Sequence, residues 1–204
     1  MNRQAGQNPE NNPAGESLER KALDLLAENP KEGLEMLARA YHKKAYHLAL
    51  GILGNRDDAL DVTQDAFIRV QRSISKYDRG RSFFPWFYTI LSNLCRTRLS
   101  RRSKSSSRET AYEELTLVDV SAKNPHENLE AVEELKALRK ALGGLLFADR
   151  EIITLKHFED YTYDQIAATL NIPRGTVMSR LYYARKRLAD LMTKAGHGRE
   201  VKES

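Results

Sequence analysis

The residues best suited to chemistry lie on a predicted helix over residues 174–191, near the end of the chain. Val177, Leu181 and Ala184 recur at the three- and four-residue spacing of one buried helix face. The opposite face groups basic, polar and aromatic side chains, namely Arg174, Met178, Ser179, Tyr182, Arg185 and Lys186. Side chains of these types contact phosphates, base edges and thymine methyl groups in the major groove of DNA.

The residues before this helix indicate how it is held. Thr162 is placed to cap a short helix, with Gln165 three residues later as a capping box requires. Asn171 and Pro173 then predict a tight turn. A short helix, a turn and a longer amphipathic helix form the layout of a helix-turn-helix that binds DNA. The same pattern also fits an antiparallel helix pair whose basic face is simply solvated.

Enzymatic chemistry has little support among the other reactive residues. Cys95 is the single cysteine, which excludes an intramolecular disulfide and a multi-cysteine zinc site. The histidines show no metal-ligand spacing; they are His42, His47, His126, His157 and His197. The sequence therefore predicts no catalytic residue, no metal and no cofactor, and a nucleic-acid hydrolase is the least favoured class.

The overall charge favours a polyanionic partner. Lysine and arginine number 33 against 28 acidic residues, which gives a net charge of +5 over 204 residues. No stretch stays apolar for the length that crosses a bilayer, and residues 1–16 lack the apolar core of a signal peptide. We therefore predict a cytoplasmic protein that does not insert into a membrane.

Helical periodicity runs through both halves of the chain. In the first half, one helix begins near residue 34 and ends at Gly54, Asn55 caps a second helix, and a third follows Ser82. In the second half, a helix ends at Gly144, and Asp149 is expected to cap a helix over 149–158 before the helix-turn-helix. No alternating pattern is long enough for a sheet, so the predicted fold class is all-α.

These elements predict two small helical domains joined by a flexible linker, the second containing the helix-turn-helix. Between the halves the charge changes from basic to acidic and no periodicity is sustained. The predicted boundaries are a disordered leader at 1–16, a first domain at 17–104, the linker at 105–126, a second domain at 127–194 and a tail at 195–204.

Motifs in both halves resemble one known family. Residues 163–167 read YDQIA and residues 172–181 read IPRGTVMSRL, which closely resembles the carboxy-terminal domain of extracytoplasmic-function (ECF) sigma factors of bacterial RNA polymerase. Residues 51–59 read GILGNRDDA and residues 61–67 read DVTQDAF, followed by Trp86, Tyr88 and Asn93. The resemblance implies an alternative sigma factor, with a region 2 domain at 17–104 and a region 4 domain at 127–194.

The resemblance also implies partners and contact residues. The partners are core RNA polymerase, promoter DNA in duplex and single-stranded form, and an anti-sigma factor. The polymerase contacts would be Asp58, Asp61, Gln64 and Asp65. The opened minus-10 strand would meet Arg79, Arg81, Trp86, Tyr88, Asn93, Arg96 and Thr97. The minus-35 duplex would meet Thr162, Arg174, Thr176, Met178, Ser179, Tyr182, Tyr183, Arg185 and Lys186.

Some residues depart from the family pattern or fit a second role. Met178 stands where relatives often have a basic residue, so an apolar contact with a base is expected there. Thr97 replaces a residue that is commonly charged or amide-bearing, which leaves the minus-10 preference open. Phe83 and Phe84 add aromatic rings near the strand site, although Phe84 and Phe87 also fit the core. The alternative function is a stand-alone helix-turn-helix regulator whose first domain dimerises or senses a ligand.

Overall fold

The computed structural model describes residues 13–104 and 125–194, so the predicted tail and most of the predicted leader and linker lie outside the described residues. Every regular element in those two ranges is helical, which confirms the all-α prediction. A short 3₁₀ turn, Ile74–Lys76, follows α3, and a π-helical segment, Thr154–Phe158, extends α6. The helices are α1 (Pro13–Glu28), α2 (Pro30–Leu53), α3 (Arg56–Ser73), α4 (Phe83–Lys104), α5 (Pro125–Gly144), α6 (Phe147–Ile153), α7 (Tyr163–Leu170) and α8 (Arg174–Lys194).

The turn between α2 and α3 has the stop and the cap that the sequence predicts. Gly54 ends α2 in a left-handed conformation with φ of 65°, and its N–H donates to the carbonyl of Leu50. Asn55 caps α3, because its side-chain oxygen accepts the N–H of Asp58 at 2.8 Å. These local bonds hold α2 and α3 as a connected pair.

Aromatic rings fill the core of the N-terminal domain. Tyr41 of α2 lies 5.5, 5.6 and 6.3 Å, between ring centroids, from Phe83, Phe84 and Phe87 of α4. All four residues are at most 1% exposed. The prediction that Phe84 and Phe87 belong to the core is confirmed. Phe83 joins them, so this ring is buried rather than open to a DNA base.

Helix α1 begins at Pro13, inside the stretch that the sequence predicts to be a disordered leader. It packs closely on α2 because Gly33 carries no side chain: a Cβ there would lie 2.6 Å from the backbone nitrogen of Leu26. Glu19 also joins α1 to two other helices, since its carboxylate accepts the Tyr41 hydroxyl and, at 3.0 Å, the Phe83 N–H. Residues 13–16 of the predicted leader are therefore the first turn of a helix that contacts distant residues further along, through Glu19 and Gly33.

Helix α6 begins at Phe147, two residues before the predicted start, and Leu146 occupies its N-cap position. The prediction that Asp149 caps this helix is wrong. The Asp149 carboxylate instead accepts two hydrogen bonds of 2.6 Å from the Nε and Nη2 atoms of Arg187 on α8. This bidentate ion pair joins α6 to α8 and so supports the longer helix of the helix-turn-helix.

The N- and C-terminal domains pack against each other, and their buried residues form one continuous cluster. Gly51 of α2 approaches Thr154 so closely that a Cβ at residue 51 would lie 2.6 Å from Thr154 Cγ2. Arg150 Nη1 donates to the carbonyl oxygen of Ile52 at 2.8 Å across the same contact. Helices α2 and α4 therefore form the face of the N-terminal domain that meets α6, the π-helical segment and α7.

Candidate nucleic-acid interface

The predicted helix-turn-helix consists of α7, a turn at 171–173 and α8. Its capping box is complete: the Thr162 hydroxyl oxygen accepts the Gln165 N–H at 3.2 Å, and the Thr162 N–H donates to Gln165 Oε1 at 2.9 Å. Asn171 ends α7 in a left-handed conformation with φ of 51°. Both ends of α7 are thus fixed locally, which sets the direction in which the chain enters α8.

Helix α8 has the buried seam and the exposed face that its sequence predicts. Val177, Leu181 and Ala184 are at most 1% exposed. On the outer side, Met178 is 53% exposed and Tyr182 is 58% exposed. The other predicted minus-35 residues on this helix are exposed, except the half-buried Thr176; they are Arg174, Ser179, Tyr183, Arg185 and Lys186. The long helix therefore offers one continuous polar and aromatic face.

Two contacts restrain arginines on this face. Arg174 Nε lies 3.4 Å from the carboxylate of Asp164 on α7. Arg185 Nε donates to His157 Nε2 at 3.2 Å. Burial and the nearby Arg185 lower the pKa of His157, so the imidazole is neutral at neutral pH and can accept this bond. Neighbouring side chains thus partly orient both arginines before any ligand binds.

The predicted minus-10 residues lie on two sides of α4. Asn93 and Thr97 are one turn apart on the exposed side, and the Thr97 hydroxyl donates to the Asn93 carbonyl oxygen at 2.8 Å. Trp86 is half-buried, near the start of the same helix. The loop before α4 adds two exposed cations, Arg79 and Arg81. These five residues remain accessible while the domains are packed together.

Tyr88 and Arg96 instead contact the C-terminal domain, which buries Tyr88 and leaves Arg96 exposed. Tyr88 is 1% exposed, and its hydroxyl donates to the Glu151 carboxylate at 3.3 Å. Burial and the Glu151 charge raise the pKa of Tyr88, so its hydroxyl keeps the proton that it donates. The Arg96 guanidinium carbon lies 4.7 Å from the centroid of the Phe147 ring. Contrary to the prediction, Tyr88 cannot reach DNA in this arrangement because α6 covers that side of α4.

The four predicted polymerase contacts on α3 differ in how freely they face solvent. Gln64 and Asp65 are exposed. Asp58 is 9% exposed, and its carboxylate lies 2.6 Å from Arg98 Nε. Asp61 also pairs with Arg98, at 2.8 Å. The two carboxylates bonded to Arg98 therefore present less free negative charge than the sequence predicts.

Two apolar residues complete the exposed side of α3, and sequence analysis missed them. Leu60 is 42% exposed and Ile68 is 44% exposed, and they stand four residues before and after Gln64. Both lie off the apolar stripe that α3 buries. Their position off that stripe predicts from the sequence alone that both side chains are exposed. Exposed apolar side chains beside polar ones mark interaction surfaces.

Metal or thiol chemistry has no site in the part of the chain that the structure describes. No group of three histidine, cysteine or carboxylate side chains there is placed to hold a metal ion. Cys95 is fully buried, and burial raises the pKa of its thiol, which disfavours the reactive thiolate. None of the described helices is long and apolar enough to cross a membrane.

Comparisons with known proteins assign both halves to one family. The Sigma-70 region 2 family model matches residues 37–105, and the model for Sigma-70, region 4 matches residues 135–188. The ECF RNA polymerase sigma-E factor of Escherichia coli K12 is 33% identical over 173 residues, covering 80% of this chain and 88% of that protein. This chain belongs to the ECF family of RNA polymerase sigma factors.

Other members and solved structures are also similar to this sigma factor. The ECF sigma factor SigW of Bacillus subtilis is 26% identical, covering 85% of this chain and 96% of its own. The ECF sigma factor SigE of Mycolicibacterium smegmatis is 33% identical, but the match spans only 64% of that protein. The fold matches the sigma factor RpoE in its complex with the anti-sigma factor NepR from Bartonella quintana, with a TM-score of 0.59 and 22% identity over 78% of this chain and 96% of that chain. It also matches CnrH in complex with the cytosolic domain of CnrY, with a TM-score of 0.61 and 20% identity over 87% of this chain and 98% of that chain.

The family models assign most helices of this alternative sigma factor to region 2 or region 4. Most of α2 with α3 and α4 makes up region 2, and α5 to α8 fall largely within region 4. Helix α1 precedes the region 2 match. Such a protein directs transcription initiation, and the alternative of a stand-alone regulator is not favoured because region 2 accompanies the helix-turn-helix.

Proposed function

We propose that this sigma factor binds core RNA polymerase through α3, reads a minus-35 element with α8 and captures an opened minus-10 strand with α4. The observation that carries the proposal is that two helices in separate domains each expose polar and aromatic side chains suited to DNA. Helix α8 exposes Met178 and Tyr182, and α4 exposes Asn93, two turns after the half-buried Trp86. A regulator that only binds duplex DNA needs a helix like α8 but has no use for the exposed surface of α4.

The minus-35 element is duplex, so α8 would lie in the major groove. Arg174, Arg185 and Lys186 are exposed cations that can meet phosphates, which set the position of the helix without reading sequence. Met178 and Ser179 occupy the same outer face nearer the start of the helix. A methionine there suits contact with a thymine methyl group rather than with the hydrogen-bonding edge of guanine.

The minus-10 element is read after its strands separate, which frees bases for contact with side chains. Trp86 offers an aromatic surface on which an unstacked base can lie. Asn93 offers an amide with two N–H donors and one oxygen acceptor, which suits a base that has turned out of the strand. Arg79 and Arg81 stand nearby to neutralise the phosphates of that strand.

The polymerase surface is the exposed side of α3. Leu60, Gln64 and Ile68 form its centre at four-residue intervals, and Asp61 and Asp65 border it. Burial of the two apolar side chains would supply affinity, and the carboxylates would favour a basic helical partner. Asp58 would contribute by holding α3 in place, because its charge is already shared with Arg98.

We further propose that the protein acts by binding alone, with polymerase supplying the catalysis, and that it works in the cytoplasm. An anti-sigma factor is the expected regulatory partner. The support is the shared fold with the RpoE chain that is bound to the anti-sigma factor NepR.

Transcription with purified core polymerase tests the proposal. Core polymerase alone and core polymerase with the full chain are each given sheared genomic DNA of the source bacterium, and transcripts are collected in a single round. We expect defined transcripts only when the chain is present. If the chain merely blocks or leaves unchanged the background transcription of core polymerase, it is a regulator or an unrelated DNA-binding protein.

A further inference from the structure

One side of helix α4 is held by the C-terminal domain at three successive helical turns. The Tyr88 hydroxyl donates to Glu151 Oε1 at 3.3 Å, and the Ser92 hydroxyl donates to the same oxygen. One turn further, the Arg96 guanidinium stacks on Phe147, at 4.7 Å from the ring centroid. Residues 88, 92 and 96 therefore share one stripe of α4, and α6 contacts it at each turn, burying Tyr88 and Ser92 and leaving Arg96 exposed.

The contact is buried and chemically matched, so it is more than a surface touch. Glu151 is 6% exposed and Ser92 is 8% exposed. Arg96 and Arg180 lie near enough to favour the charge of Glu151, although burial, the largest influence, raises the pKa of this carboxyl group. A buried carboxylate that loses its hydrogen-bond donors without gaining water raises the free energy of the protein. We therefore expect the bonds of Glu151 to Tyr88 and Ser92 to form and break together.

Further contacts fix the same domain arrangement from the α2 side. Arg150, the residue before Glu151, donates to the carbonyl oxygen of Ile52 at 2.8 Å. The Lys44 ammonium lies 3.9 Å from the ring centroid of Phe84 and 4.7 Å from that of Tyr161, so this cation lies between one ring from each domain. The closed arrangement therefore has specific contacts from α2 as well as from α4.

We propose that Glu151 acts as a latch: domain closure and capture of the opened DNA strand are mutually exclusive because both use Tyr88 and the stripe around it. The proposal rests on the function proposed for α4. While the latch is closed, Asn93, Trp86 and the loop arginines are accessible, but Tyr88 is not. Strand capture by the complete surface requires α6 to leave, and a bound strand in turn keeps α6 away.

This competition has a quantitative consequence. If only the open form captures the strand, the apparent dissociation constant equals the intrinsic constant divided by the open fraction. Breaking the latch must then tighten strand binding and lengthen the distance between the domains together. Weaker phosphate contacts or a general loss of structure would not both tighten strand binding and lengthen the distance between the domains.

A charge reversal at Glu151 tests the latch. Glu151→Lys places a cation beside Arg96 and removes the acceptor of Tyr88 and Ser92. Asp190→Lys makes the same charge change at an exposed position of α8 and is the matched control. Dyes on Lys31→Cys and Lys194→Cys, both exposed, report the interdomain distance by energy transfer, while the buried Cys95 stays unlabelled. A mixed-sequence pool of short single-stranded DNA is the binding probe.

We expect Glu151→Lys to lower energy transfer and to tighten binding of the single-stranded pool by about tenfold relative to Asp190→Lys. Unchanged energy transfer would show that Glu151 does not hold the domains together. Lower energy transfer with unchanged affinity would show that closure does not block the strand surface. Either result would overturn the proposal, and neither concerns polymerase, so failure of the proposed sigma function shows separately as absent transcription by the wild-type chain.

A reversible lock gives a second test that does not depend on how Glu151→Lys folds. An ideal Cβ at residue 51 lies 3.5 Å from Thr154 Cβ, a separation that suits a disulfide. The oxidised Gly51→Cys, Thr154→Cys protein is therefore expected to stay closed and to bind the single-stranded pool at least about tenfold more weakly than its reduced form. Equal binding by the oxidised and reduced forms would contradict the proposal, and the reduced form is the matched control.

Discussion

The Asp58 carboxylate on α3 lies 2.6 Å from Arg98 Nε and 3.0 Å from Arg102 Nη1, both on α4. Its side chain is only 13% accessible, and it stabilises the positive charge of Arg98, whose pKa is raised by the hydrogen bond to Asp58. These bonds join the proposed polymerase helix to the helix that carries Asn93. Asp58 therefore helps to fix how α3 packs against α4.

Removing this charge should destabilise the N-terminal domain. Asp58→Asn keeps the shape of the side chain but weakens its bonds to the two arginines, so we expect a loss of about 2 kcal/mol in the free energy of unfolding. Urea unfolding measures the change. Asp65→Asn, an exposed position on the same helix, is the control and should stay within about 0.5 kcal/mol of the wild type. An equal loss of unfolding free energy in both variants would show that the ion pairs of Asp58 do not stabilise the domain.

The exposed apolar residues of α3 should matter for affinity rather than for folding. We expect Leu60→Ala and Ile68→Ala each to weaken binding of core polymerase by about tenfold, because each removes apolar surface that the complex would bury. Fluorescence anisotropy of the labelled chain with core polymerase measures this. Leu18→Ala, which truncates an exposed leucine on α1, is the control. A loss of affinity in the control equal to that of the α3 variants would place the polymerase surface elsewhere.

Met178 should set a base preference in the minus-35 element. A long cation there can pair with guanine, so Met178→Arg should shift the preferred base toward guanine at one position, with a discrimination of about 1–3 kcal/mol. Selection of bound duplexes from a randomised pool reveals the change. Lys186→Ala is the comparison and should lower affinity for all sequences alike, as loss of a phosphate contact does. An unchanged selected sequence for Met178→Arg would remove Met178 from the base-reading set.

Glu159 should make stability depend on pH near neutrality. Burial raises its pKa from 4.5 to about 7, against the opposing effect of Lys44. The pKa of Glu159 is higher in the folded protein than in the unfolded chain, so the protonated carboxyl group favours folding. This contribution to stability is complete below the unfolded-state pKa and is lost as pH rises through about 7. We expect wild type to lose on the order of 2 kcal/mol relative to Glu159→Gln between about pH 5 and about pH 8. Denaturant titrations at the two pH values measure it, with the exposed Glu28→Gln as control; parallel curves for wild type and Glu159→Gln would contradict the assignment.

Local signals in the sequence predicted the helix-turn-helix almost completely. The spacing of Val177, Leu181 and Ala184 is that of a buried helix face, and all three are buried. Thr162 and Gln165 make their capping box within four residues of chain, so no distant partner was needed to see it. The fold class followed from the same periodicity.

Contacts between distant residues were beyond the reach of that reasoning. Helix α1 is held by a carboxylate, Glu19, whose partner Phe83 is 64 residues away. Tyr88 meets Glu151 at a separation of 63 residues, which turned a predicted DNA contact into part of the domain interface. Helical spacing shows which face of a helix is apolar, but it does not show which other element will cover a polar residue.

We propose that this sigma factor gives core polymerase its promoter preference through both of its domains. The most direct test is transcription by the reconstituted polymerase on genomic DNA, followed by sequencing of the transcript 5′ ends, for wild type and Asn93→Ala. We predict starts that share an upstream and a downstream element, and a preference at one downstream base that Asn93→Ala relaxes. Starts with no shared upstream sequence, or an identical set of starts and preferences for Asn93→Ala, would contradict a role for both domains in promoter choice.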